Sequence, residues 1–328
     1  AGAGDLVATA NTDIVTGTGD ITLAAGRDIV FGTNATVQVI GRHLDANFRG
    51  TISDAFTGPN DNFQQTAVRR FLPGVSFPEA AGDLRISAVG NVSATRPTQQ
   101  ISQWVTRIGG SDIGGDVQQA PDAWGVVLGS YAGNLGMFGG GDVSVDAGGD
   151  VVGVQVSNVS VGRQQGVNSY NRASRVWTVT SNVVDELGGG RVDVRAGGDV
   201  AGIDVHVSRG DALVKAGQGI IGRDVLGVTQ RARLFIGDAD VSLEAARDLE
   251  VGTVIDPNTL LLAVAPAANP QPQGTRFETF YFTMTANSAL NLSSTAGNIL
   301  FANDAAGTSN VAIAADPLIN LYPGGLRA

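Results

Sequence analysis

Short stretches in which apolar and polar residues alternate recur along this chain. In residues 139–156, GGGDVSVDAGGDVVGVQV, the apolar side chains of Val143, Val145 and Ala147 alternate with polar ones. A period of two places the apolar side chains on one face of a β-strand and the polar side chains on the other. Gly-Gly-Asp then breaks the strand, and a second apolar strand begins at Val151. The pattern predicts two short strands joined by a tight corner.

Three further copies of this unit follow the first. They have the sequences GGGRVDVRAGGDVAGIDV (188–205), DADVSLEAARDLEVGTV (238–254) and ANSALNLSSTAGNILFAN (286–303). The equivalent positions Asp142, Arg191, Asp240 and Ala289 are each 49 residues apart. A fixed period of this length indicates a repeat architecture.

Because strand follows strand without a helix between them, the pattern predicts an all-β fold, a parallel β-helix. Val143, Val192 and Val241 should then point into one common interior. The general preference of crossover connections favours a right-handed helix.

Two details of the stacking follow from the alignment. Asp146, Arg195 and Glu244 occupy equivalent outward positions, so charges of opposite sign should lie over one another, each exposed pair contributing about 0.2–1 kcal/mol. The Asp or Asn at each corner is expected to hold the bend by bonding its own backbone.

Four irregular insertions interrupt the repeats, at about residues 42–80, 95–138, 160–187 and 255–285, and residues 1–328 are otherwise predicted to form one β-helical segment of a longer protein. Most of the aromatic residues lie in the insertions. Two interpretations stay open: the rings anchor each insertion against the solenoid, or they form exposed patches that bind a protein or a glycan. The second interpretation makes four aromatic residues candidate binding residues, namely Trp104, Trp124, Tyr170 and Trp177.

Composition narrows the possible partners. The chain has 328 residues, 46 of them Gly, no Cys and a net charge of −10. Without Cys there are no disulfides, so the fold depends on backbone ladders and packing. The acidic balance argues against nucleic acid and anionic membranes as partners.

Arg209-Gly210-Asp211 is an integrin-type tripeptide and is a candidate attachment site. The alternative is structural, because Gly-Asp opens most repeats and Asp211 matches the corner aspartate. Gly-Gly-Asp-Val also lacks the nine-residue tandem of calcium-binding β-rolls, so the corner aspartates predict neither a metal nor any other cofactor.

Catalytic motifs are missing from the sequence. It contains neither a Gly-x-Ser-x-Gly elbow nor a His-Glu-x-x-His motif. The two histidines, His43 and His206, are far apart, and His206 alternates with valines, which predicts that it points outward. Some parallel β-helices degrade polysaccharides with carboxylates, a base and in some cases calcium, and Asp185, Glu186 or Asp45 could contribute carboxylates. The chain is nevertheless predicted not to be an enzyme.

The repeated segments AGGDV, AAGRDIV, AGGDVAG and TAGNILF resemble those of the filamentous haemagglutinin family of large exported bacterial proteins. The resemblance covers nearly the whole chain outside the insertions. It implies a right-handed parallel β-helix, two-partner secretion through an outer-membrane partner barrel, and a secreted or cell-surface location.

Repeat and resemblance together predict a non-catalytic, adhesive shaft segment. Its insertions would attach to a receptor on a host cell, a bacterium or an abiotic surface, and neighbouring solenoid segments would cover the open sheet edges at its two ends. The alternative is a glycan- or protein-binding module that uses the aromatic insertions, and a polysaccharide-degrading enzyme comes third.

Overall fold

A parallel sheet that curls nearly 320° round an axis forms most of this protein. It is seen in a computed structural model, which describes residues 4–43, 75–99, 101–108, 111–113, 116–118, 123–164, 169–171, 176–178, 184–257, 283–302 and 326–327. Within these ranges there is no α-helix, and the short 3-10 turns include η1 (Ile101–Gln103) and η2 (Leu128–Ser130). The predicted all-β parallel β-helix is confirmed.

Each turn of the solenoid, here called a coil, passes through faces A, B and C in chain order. Four long strands continue round a corner or leave the solenoid, namely β18 (Gln155–Gln164), β24 (Asp204–Ala216), β28 (Ala232–Ala245) and β29 (Leu249–Ile255). Face A contains the start of β29 and β1 (Leu6–Ala8), β4 (Ile29–Phe31), β10 (Val92–Ala94), β17 (Val151–Val152), β23 (Val200–Ala201), β25 (Ile220–Ile221) and β31 (Ile299–Phe301).

The other two faces are built in the same way. Face B contains the starts of β18, β24 and β28, the end of β29, and β2 (Asp13–Thr16), β5 (Thr36–Val39) and β15 (Leu135–Phe138). Face C contains the ends of β24 and β28 and β3 (Ile21–Ala25), β9 (Leu84–Ala88), β16 (Val143–Ala147), β22 (Val192–Ala196), β30 (Ala289–Ser294) and β32 (Leu326–Arg327). The described strands make seven complete coils and part of an eighth.

The interior of the solenoid is apolar throughout. Val143, Val192 and Val241 are at most 1% exposed and belong to one continuous cluster of Val, Ile, Leu, Ala and a few larger side chains. Val143 pairs with Val192 in parallel register, which confirms the predicted common interior.

The 49-residue period does not correspond to one coil. Val192 is followed on face C by Ala212 and only then by Val241, so 49 residues there cover two coils of 20 and 29 residues. Between Val143 and Val192, and between Val241 and Leu290, the same 49 residues cover one coil and one insertion. The equal spacing therefore arises from different combinations of coils and insertions.

The extra coil also changes the predicted charge stack. Asp146 does lie beside Arg195, as expected. Arg195, however, is followed by Lys215, which stands between it and Glu244. The Lys215 ammonium lies 2.8 Å from the Glu244 carboxylate, so the predicted Arg195–Glu244 pairing is wrong.

Corner aspartates and asparagines bind the next coil and not their own turn, which corrects the expectation from sequence. Asp150 Oδ1 accepts a hydrogen bond from the Asp199 amide at 2.8 Å, and Asn91 Oδ1 accepts one from the Asp150 amide at the same distance. Equivalent bonds form two ladders, in which the side chain named first accepts a hydrogen bond from the backbone amide named second. The ladder between faces B and C includes Asp20 to Asp83, Asp83 to Asp142 and Asp142 to Arg191. The ladder between faces C and A includes Asp28 to Asn91, Asp199 to Gly219 and Asp248 to Asn298.

A flanking antiparallel sheet lies over face B and is built from the insertions. Its strands are the end of β18 and β7 (Val75–Ser76), β11 (Val105–Ile108), β14 (Ala123–Val127) and β21 (Val184–Gly188). Three hairpins are also described, namely β12 (Ser111–Ile113) with β13 (Asp116–Gln118), β19 (Ser169–Asn171) with β20 (Val176–Thr178) and β26 (Arg223–Val225) with β27 (Val228–Gln230). In addition, β6 (Arg42–His43) pairs in antiparallel fashion with β8 (Pro78–Glu79).

Each insertion between described strands of the solenoid begins at the end of a face-B strand or ends at the start of one. The predicted insertion 95–138 ends too late, because Leu135–Phe138 is a solenoid strand that pairs in parallel with β5 and β18. A further insertion, the β26–β27 hairpin, was not predicted. Most of the insertions 42–80 and 255–285 lies outside the described residues.

The ladder predicts a specific effect of substituting Asp150. Asp150→Ala removes the acceptor for the Asp199 amide and should lower the free energy of unfolding by about 1–2 kcal/mol. Asp150→Asn keeps an Oδ1 acceptor, as Asn91 does one coil earlier, and should lie within about 0.5 kcal/mol of the wild type. Urea unfolding with an unchanged m-value measures both; equal losses in the two variants would contradict the ladder.

Candidate functional site

The space between face B and the flanking sheet holds a second apolar cluster, rich in aromatic rings. Trp104 packs edge-on against Tyr131 and Phe138, with ring centroids 4.9 and 5.7 Å apart. Tyr131 and Phe138 also meet edge-on at 5.0 Å. Edge-to-face contacts of this kind add about 0.5–1.5 kcal/mol to the burial of the rings, so the cluster fixes the insertions on the solenoid.

The structure decides between the two interpretations of the aromatic residues for two of the four candidates. Trp104 is 1% exposed and Trp124 is 3% exposed, and Trp124 Nε1 donates to the Ser160 carbonyl at 2.9 Å. Both rings anchor the insertions. The hypothesis that they form exposed binding platforms is wrong, because neither ring reaches the surface.

Tyr170 and Trp177 lie opposite each other on the β19–β20 hairpin, where their Cα atoms are register partners. In the chain, this hairpin lies between β18 and β21, which pair with each other in the flanking sheet. Its pairing shows that these two candidates belong together, whereas Trp104 and Trp124 lie in the cluster over face B. Their role in binding stays a prediction.

His206 is the residue whose environment sequence reasoning missed. Its side chain points away from the solenoid interior, as predicted, because Val205 and Val207 occupy the interior cluster. The insertion nevertheless covers it, and it is 1% exposed. Its ring lies nearly parallel to Trp104 at 5.9 Å and edge-on to Phe235 at 4.3 Å.

Two polar side chains in this buried cluster, those of His206 and Tyr131, have hydrogen-bond partners. His206 Nδ1 lies 3.1 Å from Ser157 Oγ, and burial lowers the pKa of His206 to about 3 against the pull of Asp204. Tyr131 donates its hydroxyl to the Leu135 carbonyl at 2.7 Å, and burial raises its pKa. The Ser157–His206 pair resembles a catalytic dyad in composition only, because both side chains are enclosed and out of reach of a substrate.

Arg209-Gly210-Asp211 lies within strand β24, where the chain turns from face B to face C. Arg209 is in register with Asp238, and Asp211 is in register with the corner residue Asp240. Gly210 has a φ of 106°, which supplies the turn. These positions match the structural interpretation of the tripeptide, although Arg209 and Asp211 are both exposed.

A partly buried carboxylate lies beside this tripeptide. Glu186 on β21 accepts a hydrogen bond from the Ser160 hydroxyl, and its backbone carbonyl accepts one from Arg209 Nη1 at 3.5 Å. Burial raises the pKa of Glu186, and Asp238 adds to the shift, whereas Ser160 and Arg209 oppose it. Of the other proposed catalytic carboxylates, Asp185 is adjacent on β21 and Asp45 lies outside the described residues.

The described residues contain neither a metal-binding cluster nor a membrane-spanning helix. In those ranges no group of three His, Cys, Asp or Glu side chains could hold a metal ion. The same part of the chain contains no helix of the length and apolarity needed to cross a bilayer.

The burial of His206 predicts that the free energy of unfolding decreases in acid. Because its pKa is about 3 when folded and 6.5 when unfolded, the unfolded state takes up the proton first as the pH falls below 6.5. Its contribution to stability is therefore complete above pH 6.5 and declines towards pH 3 by up to about 1.4 kcal/mol per pH unit. His206→Gln should flatten the dependence of the urea midpoint on pH between 6.5 and 4. His43→Gln, which removes the exposed histidine, is the matched control; a slope unchanged in His206→Gln would contradict the assignment.

The burial of Glu186 predicts a contribution to stability that decreases as the pH rises. Because its folded pKa is raised, the stability that protonated Glu186 contributes is complete below its unfolded pKa and declines as the pH rises through the folded value. Glu186→Gln keeps an acceptor for the Ser160 hydroxyl and should be more stable than the wild type at pH 7 but not at pH 4. Thermal unfolding at the two pH values measures this, and a Gln variant that is less stable at pH 7 would refute it.

The chain was compared with protein-family models, curated proteins and solved structures, and no match was found in any of the three comparisons. The family resemblance of the repeats therefore stays a prediction, and the fold and side chains described above are the basis for any functional conclusion.

Proposed function

We propose that this chain is a structural and adhesive shaft segment of a large secreted exoprotein of the bacterial surface. The observation that carries the proposal is the continuous stack of seven coils round one apolar interior. Parallel strands are about 4.8 Å apart, so seven coils extend for roughly 30 Å along the axis. Such a stack resists bending because every coil is bonded to the next at each face.

The distribution of the insertions supports a role in presentation. The corner between faces C and A is short in each described coil, while the described insertions enter or leave face B. Longer segments on a rigid scaffold are where binding residues commonly lie, so the flank over face B is the side that we assign to attachment. The partner is a receptor on a host cell, another bacterium or an abiotic surface, and not a nucleic acid, since the chain carries a net charge of −10.

Secretion through an outer-membrane partner barrel and residence at the cell surface belong to this proposal. They rest on the resemblance of the AGGDV-type repeats to filamentous haemagglutinins. A non-catalytic role is consistent with the buried state of Ser157 and His206, which are enclosed beneath Trp104.

A glycan- or protein-binding module is the second candidate function. The observation that favours it is the β19–β20 hairpin, which pairs Tyr170 with Trp177. Tyr and Trp supply large contact areas at low cost in conformational entropy. In this alternative the solenoid is a support for a single binding hairpin.

An adhesion assay separates the two functions. Beads coated with the purified chain are tested on epithelial cells, on bacteria and on glass, beside beads coated with a variant in which residues 169–178 are replaced by a short Gly-Ser turn. A variant with residues 224–229 shortened in the same way is the control. Adhesion that the first variant retains supports the shaft, and adhesion that only this variant loses supports the binding module. Wild-type beads that adhere to none of the surfaces, or a chain that shortens polysaccharides, would overturn the proposal.

A further inference from the structure

We propose that arginine side chains at the corner between faces A and B form a clasp that makes coils 3 to 6 open as one cooperative unit. Coils are numbered from the chain start, so that Val92 begins coil 3, Val151 coil 4, Val200 coil 5 and Ile220 coil 6. The clasp consists of Arg96, Arg223, Arg231 and Arg233 with Asp204. It does not depend on the function proposed above.

Arg223 crosses two coils to reach a third. It belongs to coil 6, and its Nη1 donates to the Ala94 carbonyl of coil 3 at 3.1 Å. On the way it passes the corners of coils 5 and 4, where Gly202 and Gly153 have φ values of 63° and 65°. A Cβ at Gly153 would lie 2.1 Å from Arg223 Nη1. The glycine therefore serves the turn and also leaves a groove for the arginine.

Arg96 makes the reciprocal connection from coil 3. It is 8% exposed, its Nη2 lies 2.5 Å from the Asp204 carboxylate of coil 5, and its Nη1 donates to the Arg231 carbonyl of coil 6 at 2.8 Å. The two arginine connections run in opposite directions along the same corner. Neither of them joins adjacent coils.

Asp204 is the centre of the clasp. The carboxylate is fully buried and also accepts a hydrogen bond from Arg233 Nε of coil 6 at 2.8 Å. A buried charge is costly unless it is paired, and removing one partner of such a group is strongly destabilising. Asp204 therefore ties coil 3 and coil 6 to coil 5 through one group.

Coil 7 is attached to the same structure. Arg231 Nε lies 2.8 Å from the Glu250 carboxylate, which also accepts a hydrogen bond from the Gly222 amide at 3.3 Å. This pair is partly exposed and joins neighbouring coils only. It supports the hairpin from which Arg223 and Arg231 extend.

The clasp changes how the solenoid can open. In a repeat protein whose units contact only their neighbours, opening starts anywhere and spreads one unit at a time. Here the interface between coils 5 and 6 cannot separate unless Arg223 leaves Ala94 and Arg96 leaves Arg231. The interface between coils 3 and 4 is subject to the same condition, so the interfaces from coil 3 to coil 6 share one opening step.

Native-state hydrogen exchange tests this coupling. The amides of Val92, Val151 and Val200 each donate across a different interface inside the clasp, at 2.9 Å. In the wild type they should share one opening equilibrium and one denaturant dependence. In Arg223→Met, which keeps the aliphatic stem, their exchange rates should diverge by about tenfold or more. The Ile29 amide, which donates from coil 2 to coil 3, should change by less than about twofold.

Arg195→Met is the matched control. It removes an arginine from face C that pairs with Asp193 and should leave the three amides together. If Arg223→Met does not fold, Arg223→Lys keeps the charge and should show a smaller split of the same kind. The clasp is refuted if the three amides exchange at unrelated rates in the wild type, or if they keep a common rate in the variant that folds.

Discussion

The parallel backbone ladder between successive coils is the constraint on which this structure depends. Each coil can bury its apolar side chains only when the next coil repeats its register, because Val143, Val192, Ala212 and Val241 must lie over one another. The corner ladders strengthen the same register, since each carboxylate or amide oxygen accepts a hydrogen bond from a backbone amide of the coil that follows. The described coils therefore keep one register, with a single shift on face B between Ala232 and Arg233, whereas the number of residues per coil varies.

Face B shows the consequence of variation in the number of residues per coil. The described parts of the insertions cover the middle of this face, so outward side chains there lose the solvent that they meet on faces A and C. Gln155, Ser157, Asp204 and His206 are all at most 1% exposed. Each of these groups must find a partner in the insertion or on a neighbouring strand, and Arg96 and Arg233 supply two of them for Asp204. In the first coil, where the described residues include no such cover, outward Val15 is 46% exposed.

Much of the solenoid could be predicted from its alternating residues, and much of the site could not. The strands at Val143 and Val192 and the outward direction of His206 follow from a period of two, which is a local property. The extra coil at Ala212 has a local signal, the repeat-like segment GDALVKAGQGIIGRDV. The spacing alone leaves open whether 49 residues form one coil or two, because an insertion can equal a coil in length. The burial of Trp104 and His206 and the arginine clasp depend on which segments meet in space, for which the sequence has no periodic signal.

The corner between faces B and C of coil 5 contains no insertion, and only the four residues 208–211 separate the two faces there. One coil earlier the same corner carries the whole excursion through β19 and β20 before the chain returns to Val192. The protein thus contains the same junction once without an insertion and once with one. A peptide inserted at the coil 5 junction would interrupt the ladder pairs of residues 209–211 with residues 238–240 and would leave the interior residues Val207 and Ala212 in their own strands, which makes this junction a site for grafting.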